Sequence, residues 1–364
     1  MSAVKKSDTW KAATLQDLVF LQRGFDITKE QQKPGDYPVI SSSGKTSLHN
    51  EYRVEGPGVI IGRKGSLGTV HFSAENYWPH DTTLWSKDFK GNDPRYVFYF
   101  LQTLDLAKYN VGGANPTLNR NHIHGLDIKI PSIPIQRKIA AILSAYDDLI
   151  ENNLKRIALL EESARQLYRE WFIRLGFPGH EHTRIVDGLP EGWDRAKVGD
   201  VLLKVKRKKK IQKDVYLDEG AIPCVDQSVT FIGGYTDDEE AKHDEPLPII
   251  VFGDHTRILK FIDFPFACGA DGTQLLHPNR ENISPEFFYL ALDAIDLSNY
   301  FYARHFKFLK EQKLVLPEEN LIRDFTNYAK SGFKQIKNLR SQNQKLKQAR
   351  NLLLPRLMSG EIPI

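Results

Sequence analysis

The sequence predicts an α+β fold: two mixed, mainly β globules, each followed by a long helix, with the second half of the chain repeating the first. Three observations carry that expectation. Short β-rich runs are punctuated by Gly, Pro, Asn and Asp, two long stretches show apolar spacing of three and four, and matched segments recur in the same order. The expected organisation is a first globule at 1–133, a first long helix at 134–177, a second globule at 178–317, a second long helix at 318–358 and a tail at 359–364.

The repeat is read segment by segment. Trp10 with Asp17-Leu18 is answered by Trp193 with Asp200-Val201, and Gly35-Asp-Tyr-Pro38-Val-Ile by Gly220-Ala-Ile-Pro223-Cys-Val. Pro57-Gly-Val-Ile-Ile-Gly62 matches Pro248-Ile-Ile-Val-Phe-Gly253, Asp81-Thr-Thr-Leu84 matches Asp271-Gly-Thr-Gln-Leu275, and Asp105-Leu106 matches Asp296-Leu297. Asp127-Ile-Lys-Ile-Pro131 and Lys313-Leu-Val-Leu-Pro317 close the two copies. The offset drifts from 183 residues at Trp10 to 191 at Pro57, as loop insertions would make it. Within each copy, Val59-Ile60-Ile61 and Ile249-Ile250-Val251-Phe252 read as strands. Residues 94–106 and 285–297 read as aromatic-rich helices with proline in the first turn, where its missing N–H costs nothing.

The long helices follow. In the first, Leu143, Tyr146, Ile150, Asn153, Ile157, Leu160, Ala164, Leu167 and Trp171 form a seam of coiled-coil period. In the second, Phe325, Ala329, Gly332, Ile336, Leu339, Asn343, Leu346, Arg350, Leu353 and Leu357 do the same, with Pro355 and Gly360 expected to close it. Roughly 38 residues at about 1.5 Å each make a rod of about 57 Å, too long for either globule to cover, so the seams are expected to pack on each other. Charge agrees: 334–356 carry seven basic residues and no acid, whereas 147–170 hold six acids and four bases. Exposed pairs add at most about 1 kcal/mol each, so charge selects the partner while the apolar seam supplies stability. Asn153 and Asn343 read as polar residues that fix register.

With 364 residues, 41% of them hydrophobic and 26% charged, the chain can build about two cores. No run approaches the roughly 20 apolar residues of a membrane span, and the polar start with Lys5 and Lys6 lacks the apolar core of a signal segment. Two cysteines, Cys224 and Cys268, make neither a disulfide framework nor a four-ligand metal cage, so a cytoplasmic chain that holds no metal is expected. The small net charge of +4 hides a basic run, 204–213, with seven cations, including Lys206, Arg207, Lys208, Lys209 and Lys210. Such a run releases counterions when it meets nucleic acid; a solvated loop is the alternative. An acidic stretch, Asp237, Asp238, Glu239, Glu240, Asp244 and Glu245, follows and reads as solvated.

Catalytic constellations are incomplete. Gly62-Arg-Lys-Gly65-Ser-Leu-Gly68 lacks the lysine-hydroxyl pair of a nucleotide loop and reads as a hairpin turn whose Arg63, Lys64 and Ser66 reach a DNA phosphate. Asp93-Pro94-Arg95-Tyr96 is one residue from an adenine methyltransferase motif, but the arginine breaks it and no dinucleotide-type glycine turn accompanies it. His122 and His124 would share one face of a strand, yet only distant Asp127 is available to complete a metal site. Asp254-His255-Thr256-Arg257 and Asp271-Gly-Thr273 place acids and a histidine together without a nucleophile. Recognition chemistry, in contrast, is abundant where the globules end in loops: Asn115, Thr117, Asn119, Arg120, Asn121 and His122 in the first, and His255, Arg257, Arg304, His305, Lys307 and Lys310 in the second. These side-chain types bind phosphates and read base edges. A coiled-coil interaction protein and a self-sufficient enzyme built on His255 or the His122/His124 pair are the competing readings.

Taken together, the chain resembles the specificity subunit of type I restriction–modification systems over nearly all its length. The resemblance rests on the order globule, helix, globule, helix and on particular segments. They are Pro131-Ser-Ile-Pro-Ile-Gln136-Arg-Lys-Ile, Leu149-Ile150-Glu-Asn-Asn, Leu167-Tyr-Arg-Glu-Trp171-Phe172, Gly253-Asp-His-Thr-Arg257, Ala267-Cys-Gly-Ala-Asp271-Gly-Thr, Arg304-His-Phe-Lys307-Phe-Leu-Lys310 and Leu352-Leu-Leu-Pro355-Arg-Leu-Met-Ser-Gly360. The usual Glu-Gln before each helix is replaced by Ile135-Gln136 and Glu319-Asn320, which puts the local helix start in question. The resemblance implies two target recognition domains, each reading one half of a split double-stranded DNA site. It also implies that the helices lie as an antiparallel coiled-coil spacer in an internal pseudo-two-fold repeat; the length of that rod limits how far apart the half-sites can lie, and a separation near one DNA turn, roughly 34 Å, would fit. Two modification subunits carrying S-adenosylmethionine, and restriction subunits using ATP and Mg, are the implied partners. This chain itself would bind no cofactor and catalyse nothing.

Overall fold

The computed structural model describes residues 10–110, 116–269, 272–300 and 304–364. It divides into two compact units: the chain up to Asn152 together with Asn343–Ile364, and Asn153–Gln342. In the first unit the chain runs through β1 (Trp10–Thr14), α1 (Leu15–Leu18), β2 (Phe20–Arg23), β3 (Tyr37–Ser41), β4 (Gly44–His49) and β5 (Gly58–Gly62). It continues through β6 (Val70–Ser73), β7 (Trp78–Pro79), β8 (Thr83–Asp88), α2 (Pro94–Gln102), α3 (Arg120–His124) and β9 (Asp127–Pro131) into α4 (Ile133–Tyr168). One sheet has the order β2-β8-β5-β6, a second β4-β3-β7, and β1 pairs with β9.

The strand β5 shows why this arrangement is stable. Its apolar run is buried on both faces: Val59 and Ile61 pack with Tyr96, Leu101 and Leu143, while Ile60 points the other way onto Tyr77, Ile40 and Val54. Alternation along a strand makes that division automatic. Asp93 caps α2 by accepting from Tyr96 N at 2.9 Å, with Pro94 in the first turn. The helix ends at Gln102, four residues before the expected Leu106, which instead begins a 3-10 turn, Leu106–Tyr109. The Thr103 hydroxyl donates to Phe100 O there and competes with helix continuation.

The second unit repeats the plan. After a short hairpin, β10 (Ile185–Val186) and β11 (Leu189–Pro190), come β12 (Asp194–Lys197), β13 (Ile222–Val225), β14 (Gly234–Thr236), β15 (Lys242–His243) and β16 (Ile249–Gly253). Then follow β17 (Leu259–Ile262), β18 (Phe266–Cys268), β19 (Thr273–Leu276), α5 (Pro285–Asp293), α6 (Phe306–Glu311), β20 (Lys313–Leu316) and α7 (Glu319–Met358). The sheets are β17-β16-β19, β14-β13-β18-β15 and β12-β20, and α5 stops at Asp293 rather than Leu297. The matched segments of the sequence thus occupy matched strands. A pair of asparagines that sequence reading passed over confirms the match: Asn92 Nδ2 donates to Asp17 O at 3.0 Å, and Asn279 Nδ2 to Asp200 O at 3.2 Å.

Each unit contains an antiparallel stretch of the two long helices. In the first, Arg350 pairs with Asp147 and Asn343 Nδ2 donates to Ile150 O at 3.4 Å, while Leu143 packs in the core with Leu354 and Leu357 and with half-buried Leu353. In the second, Ile157 and half-buried Leu160 pack on Ile336 and Leu339, Arg340 pairs with Glu161 at 2.7 Å, and Tyr168 meets Phe325. Leu346 and Leu167 are half-buried. Asn153 is 1% exposed and Asn343 6%, in keeping with register-fixing positions. Pro355 does not close the second helix but lies within it, one turn before its end. The substitution of Ile135-Gln136 does not delay the first: α4 begins at Ile133, and Gln136 is buried, its Oε1 accepting from Asp93 N while its Nε2 donates to Asn92 Oδ1 and Pro131 O. Among the described residues, no helix is long and apolar enough to cross a membrane.

Candidate nucleic-acid interface

In both globules the turn after the central strand is tied to the short helix near the globule's end by the same bonds. Arg63 N donates to Thr82 O and Arg63 O accepts from Leu118 N; Asp254 N donates to Gly272 O and Asp254 O accepts from His305 N. Gly68 N donates to Gly62 O as Arg257 N donates to Gly253 O, and both Gly68 and Arg257 have left-handed backbones, φ 73° and 63°. The turns therefore sit on one scaffold and differ in what they present.

In the first globule the turn brings Arg63, Lys64 and Ser66 beside the start of α3. Asn119 caps that helix by accepting from Asn121 N at 3.0 Å, Thr117 bridges to Lys64, and the Arg120 guanidinium lies 5.8 Å from the Phe20 ring. Arg63, Asn119, Arg120 and Asn121 line one recess with Gln22 and Arg23, which sequence reading missed. Their signal was the change from apolar to polar along β2, too short to read alone. Burial pushes the Arg63 guanidinium's pKa down, and the neighbouring Arg23 charge adds to this, with only Asp81 opposing. Arg63 Nη1 is buried without a partner among the described residues, whereas Arg23 pairs with Asp81 at 3.1 Å. An anionic oxygen entering the recess would satisfy that donor.

The expected histidine pair is not on a strand. His122 and His124 belong to α3, and the two separate: His122 is exposed while His124 is buried and accepts from Leu21 N at 3.0 Å. The short segment folds as a helix because Asn119 caps it and Ile123 is buried in the core, so a two-residue spacing no longer shares a face. Asn115 lies outside the described residues.

In the second globule the turn carries exposed His255, Thr256 and Arg257, and α6 carries exposed Lys307 and Lys310 just after exposed Arg304. Asp254 joins the two: its Oδ1 accepts from Phe306 N at 2.7 Å, at the first turn of α6. That bond uses for structure the acid beside His255, on which the self-sufficient enzyme reading would have drawn. Arg257 Nη1 donates to Leu297 O at 3.0 Å. Burial pushes the Cys224 and Cys268 thiols up to about 11, so neither is a ready nucleophile.

The basic run faces the acidic stretch. Lys208 pairs with Asp244 at 3.1 Å and Lys209 with Asp238 at 2.6 Å, while Ile211 bridges to Gly269. Lys206 and Arg207 are exposed and form no ion pair among the described residues. A further group, Asp26, His80 and Asp81, has ligand atoms within 4.8 Å of one another, but Arg23 and His80 already contact Asp81.

Residues 7–162 match the family model described as the type I restriction modification DNA specificity domain. A specificity subunit of a type I restriction enzyme from Methanocaldococcus jannaschii, MjaIX, is 26% identical over 306 residues, 74% of this chain and 69% of that protein. The chain is thus similar to the specificity subunits of type I restriction–modification systems, the family model matching its first part. A second relative, the EcoprrI specificity subunit of Escherichia coli, is 24% identical over 159 residues, 42% of this chain and 39% of that one. The fold is also similar to that of the crystallised type I restriction-modification S subunit from M. genitalium, at a TM-score of 0.58 and 18% identity over 98% of both chains.

Proposed function

We infer that this chain is a noncatalytic DNA sequence-recognition subunit, each globule reading one half of a bipartite duplex site. The observation that carries this reading is the paired scaffold: two equivalent turn-and-helix surfaces, both carrying Arg, Lys and His and the first also Asn, presented by a duplicated fold. Duplicated readers suit a split target, and cationic side chains supply the phosphate affinity on which base reading rests. Methyl transfer and cleavage then belong to partners: two modification subunits that use S-adenosylmethionine, and restriction subunits that use ATP and Mg. The target adenine would flip into the partner's pocket, not into this chain.

The test is to coexpress the chain with its modification subunit in a methylation-free host and sequence genomic DNA for modified adenines. A single split motif is the expected result. A soluble complex that modifies nothing and shows no salt-dependent DNA affinity would favour a coiled-coil scaffold instead, and methyl transfer by the purified chain alone would overturn the noncatalytic assignment.

A further inference from the structure

Beside each turn lies a second loop, and the two loops are pinned from equivalent positions. His71 on β6 stands opposite Ile60, and its Nε2 lies 3.1 Å from Ser42 O. Lys260 on β17 stands opposite Val251 in the matching register, and its Nζ donates to Asp226 O at 2.8 Å and Thr230 O at 2.6 Å. The Lys260 side chain is only 4% exposed, with the Asp226 carboxylate 3.8 Å away. Asp226 in turn accepts from Ser228 N at 2.9 Å and Ser228 Oγ at 2.5 Å. Taking an ammonium out of water is costly, and here the bonds that compensate it hold a loop rather than a core.

That loop is fixed at its far end too. The Arg340 guanidinium covers the Phe231 ring at 3.7 Å, and Phe264 meets the same ring edge-on at 6.0 Å. On its near side Gln227 accepts from His255 N at 3.1 Å through Oε1, and from the Thr256 hydroxyl at 2.7 Å through its backbone oxygen, which makes loop and turn one surface. Between the anchors Val229 is 89% exposed. A branched apolar side chain is thus held out into solvent on a firmly anchored support, beside the turn and helix that carry the recognition chemistry. On the base edges of the major groove, the apolar feature is the thymine C5-methyl.

We propose that Val229 reads a thymine methyl in the second half-site, that 226–231 is the specificity loop of the second globule, and that Lys260 is its positioning residue. This rests on the specificity-subunit reading. In the first globule the corresponding turn is Ser41-Ser42-Ser43, with Ser43 exposed, so hydroxyls replace the branched methyl groups at that place.

The experiment uses the full chain in complex with its modification subunit and duplexes carrying the mapped motif, each thymine replaced singly by deoxyuridine, which removes the methyl alone. At one position of the second half-site the replacement should weaken binding about fourfold, the worth of one buried methyl. Val229→Ala should lose a similar factor on thymine DNA and become indifferent to the replacement. Lys260→Met should blur discrimination in the second half-site while leaving the first unchanged, with partial rescue by Lys260→Arg. No methyl-sensitive thymine in the second half-site, or undiminished sensitivity in Val229→Ala, would overturn the inference while specific binding stands. A complex that binds the motif no better than unrelated duplex would defeat the specificity-subunit reading itself.

Discussion

Between Gly62 and Gly68 the first globule's turn takes six steps and places glycines at its left-handed positions 65 and 68; the second covers the equivalent span, Gly253 to Arg257, in four. Arginine in a left-handed backbone costs about 1–2 kcal/mol, and the bond from its guanidinium to Leu297 O offsets that cost. The first turn is built for open, basic reach, the second for a tighter fit locked to α6 through Asp254. One skeleton of backbone bonds therefore carries two different surfaces, which is what independent reading of two half-sites requires: the scaffold is kept while the presented side chains change.

The largest effect expected from breaking the comparison is in the cores beneath the turns. Ile61 and Phe252 are 0% and 1% exposed at paired positions of β5 and β16. Truncation to alanine should cost about 2–5 kcal/mol for Ile61 and about 3–5 for Phe252 in denaturant unfolding, each in its own unit. Next come the recess cations. Arg63→Ala and Arg120→Ala should each weaken DNA binding and lower the salt slope by about one, with no change in second half-site preference. The basic run divides more finely than its sequence suggests. Lys206→Ala with Arg207→Ala should weaken binding to all sequences alike and lower the salt slope by about two, while Lys208→Ala and Lys209→Ala, whose amines face Asp244 and Asp238, should do less. Loss confined to one base position would instead make the run a base reader.

The smallest effect is on pH. Burial, helped by the Arg120 charge, holds the His124 pKa below its ordinary value of 6.5, so the folded state keeps the ring neutral while the unfolded chain takes up a proton. The contribution is full above pH 6.5 and drains as pH falls from there toward the folded-state value. Burial acts on His243 in the same direction in the second unit. Thermal unfolding should fall on acidification below 6.5, and His124→Gln, which can still accept from Leu21 N, should fall less steeply.

The duplication, the strand runs and the helical seams were legible because each repeats a pattern over many residues. The fate of short polar segments was not. Nothing local distinguishes His122 on a strand from His122 on a one-turn helix; the cap from Asn119 and the buried Ile123 decide it. Likewise the basic run reads as free charge until the fold brings Asp238 and Asp244 across from it, and Gln22 and Arg23 gain meaning only when β2 lines a recess with Arg63. Val229 and Lys260, thirty-one positions apart, carry no shared signal in sequence; only the fold closes the loop between them.

The central claim is that the two globules read independently. Residues 178–317 should be exchanged for those of a relative with a different target, the chimera coexpressed with the modification subunit, and the modified motif mapped. The account predicts that one half of the motif changes and the other stays as it was. A soluble, active chimera in which both halves change, or neither, would contradict it.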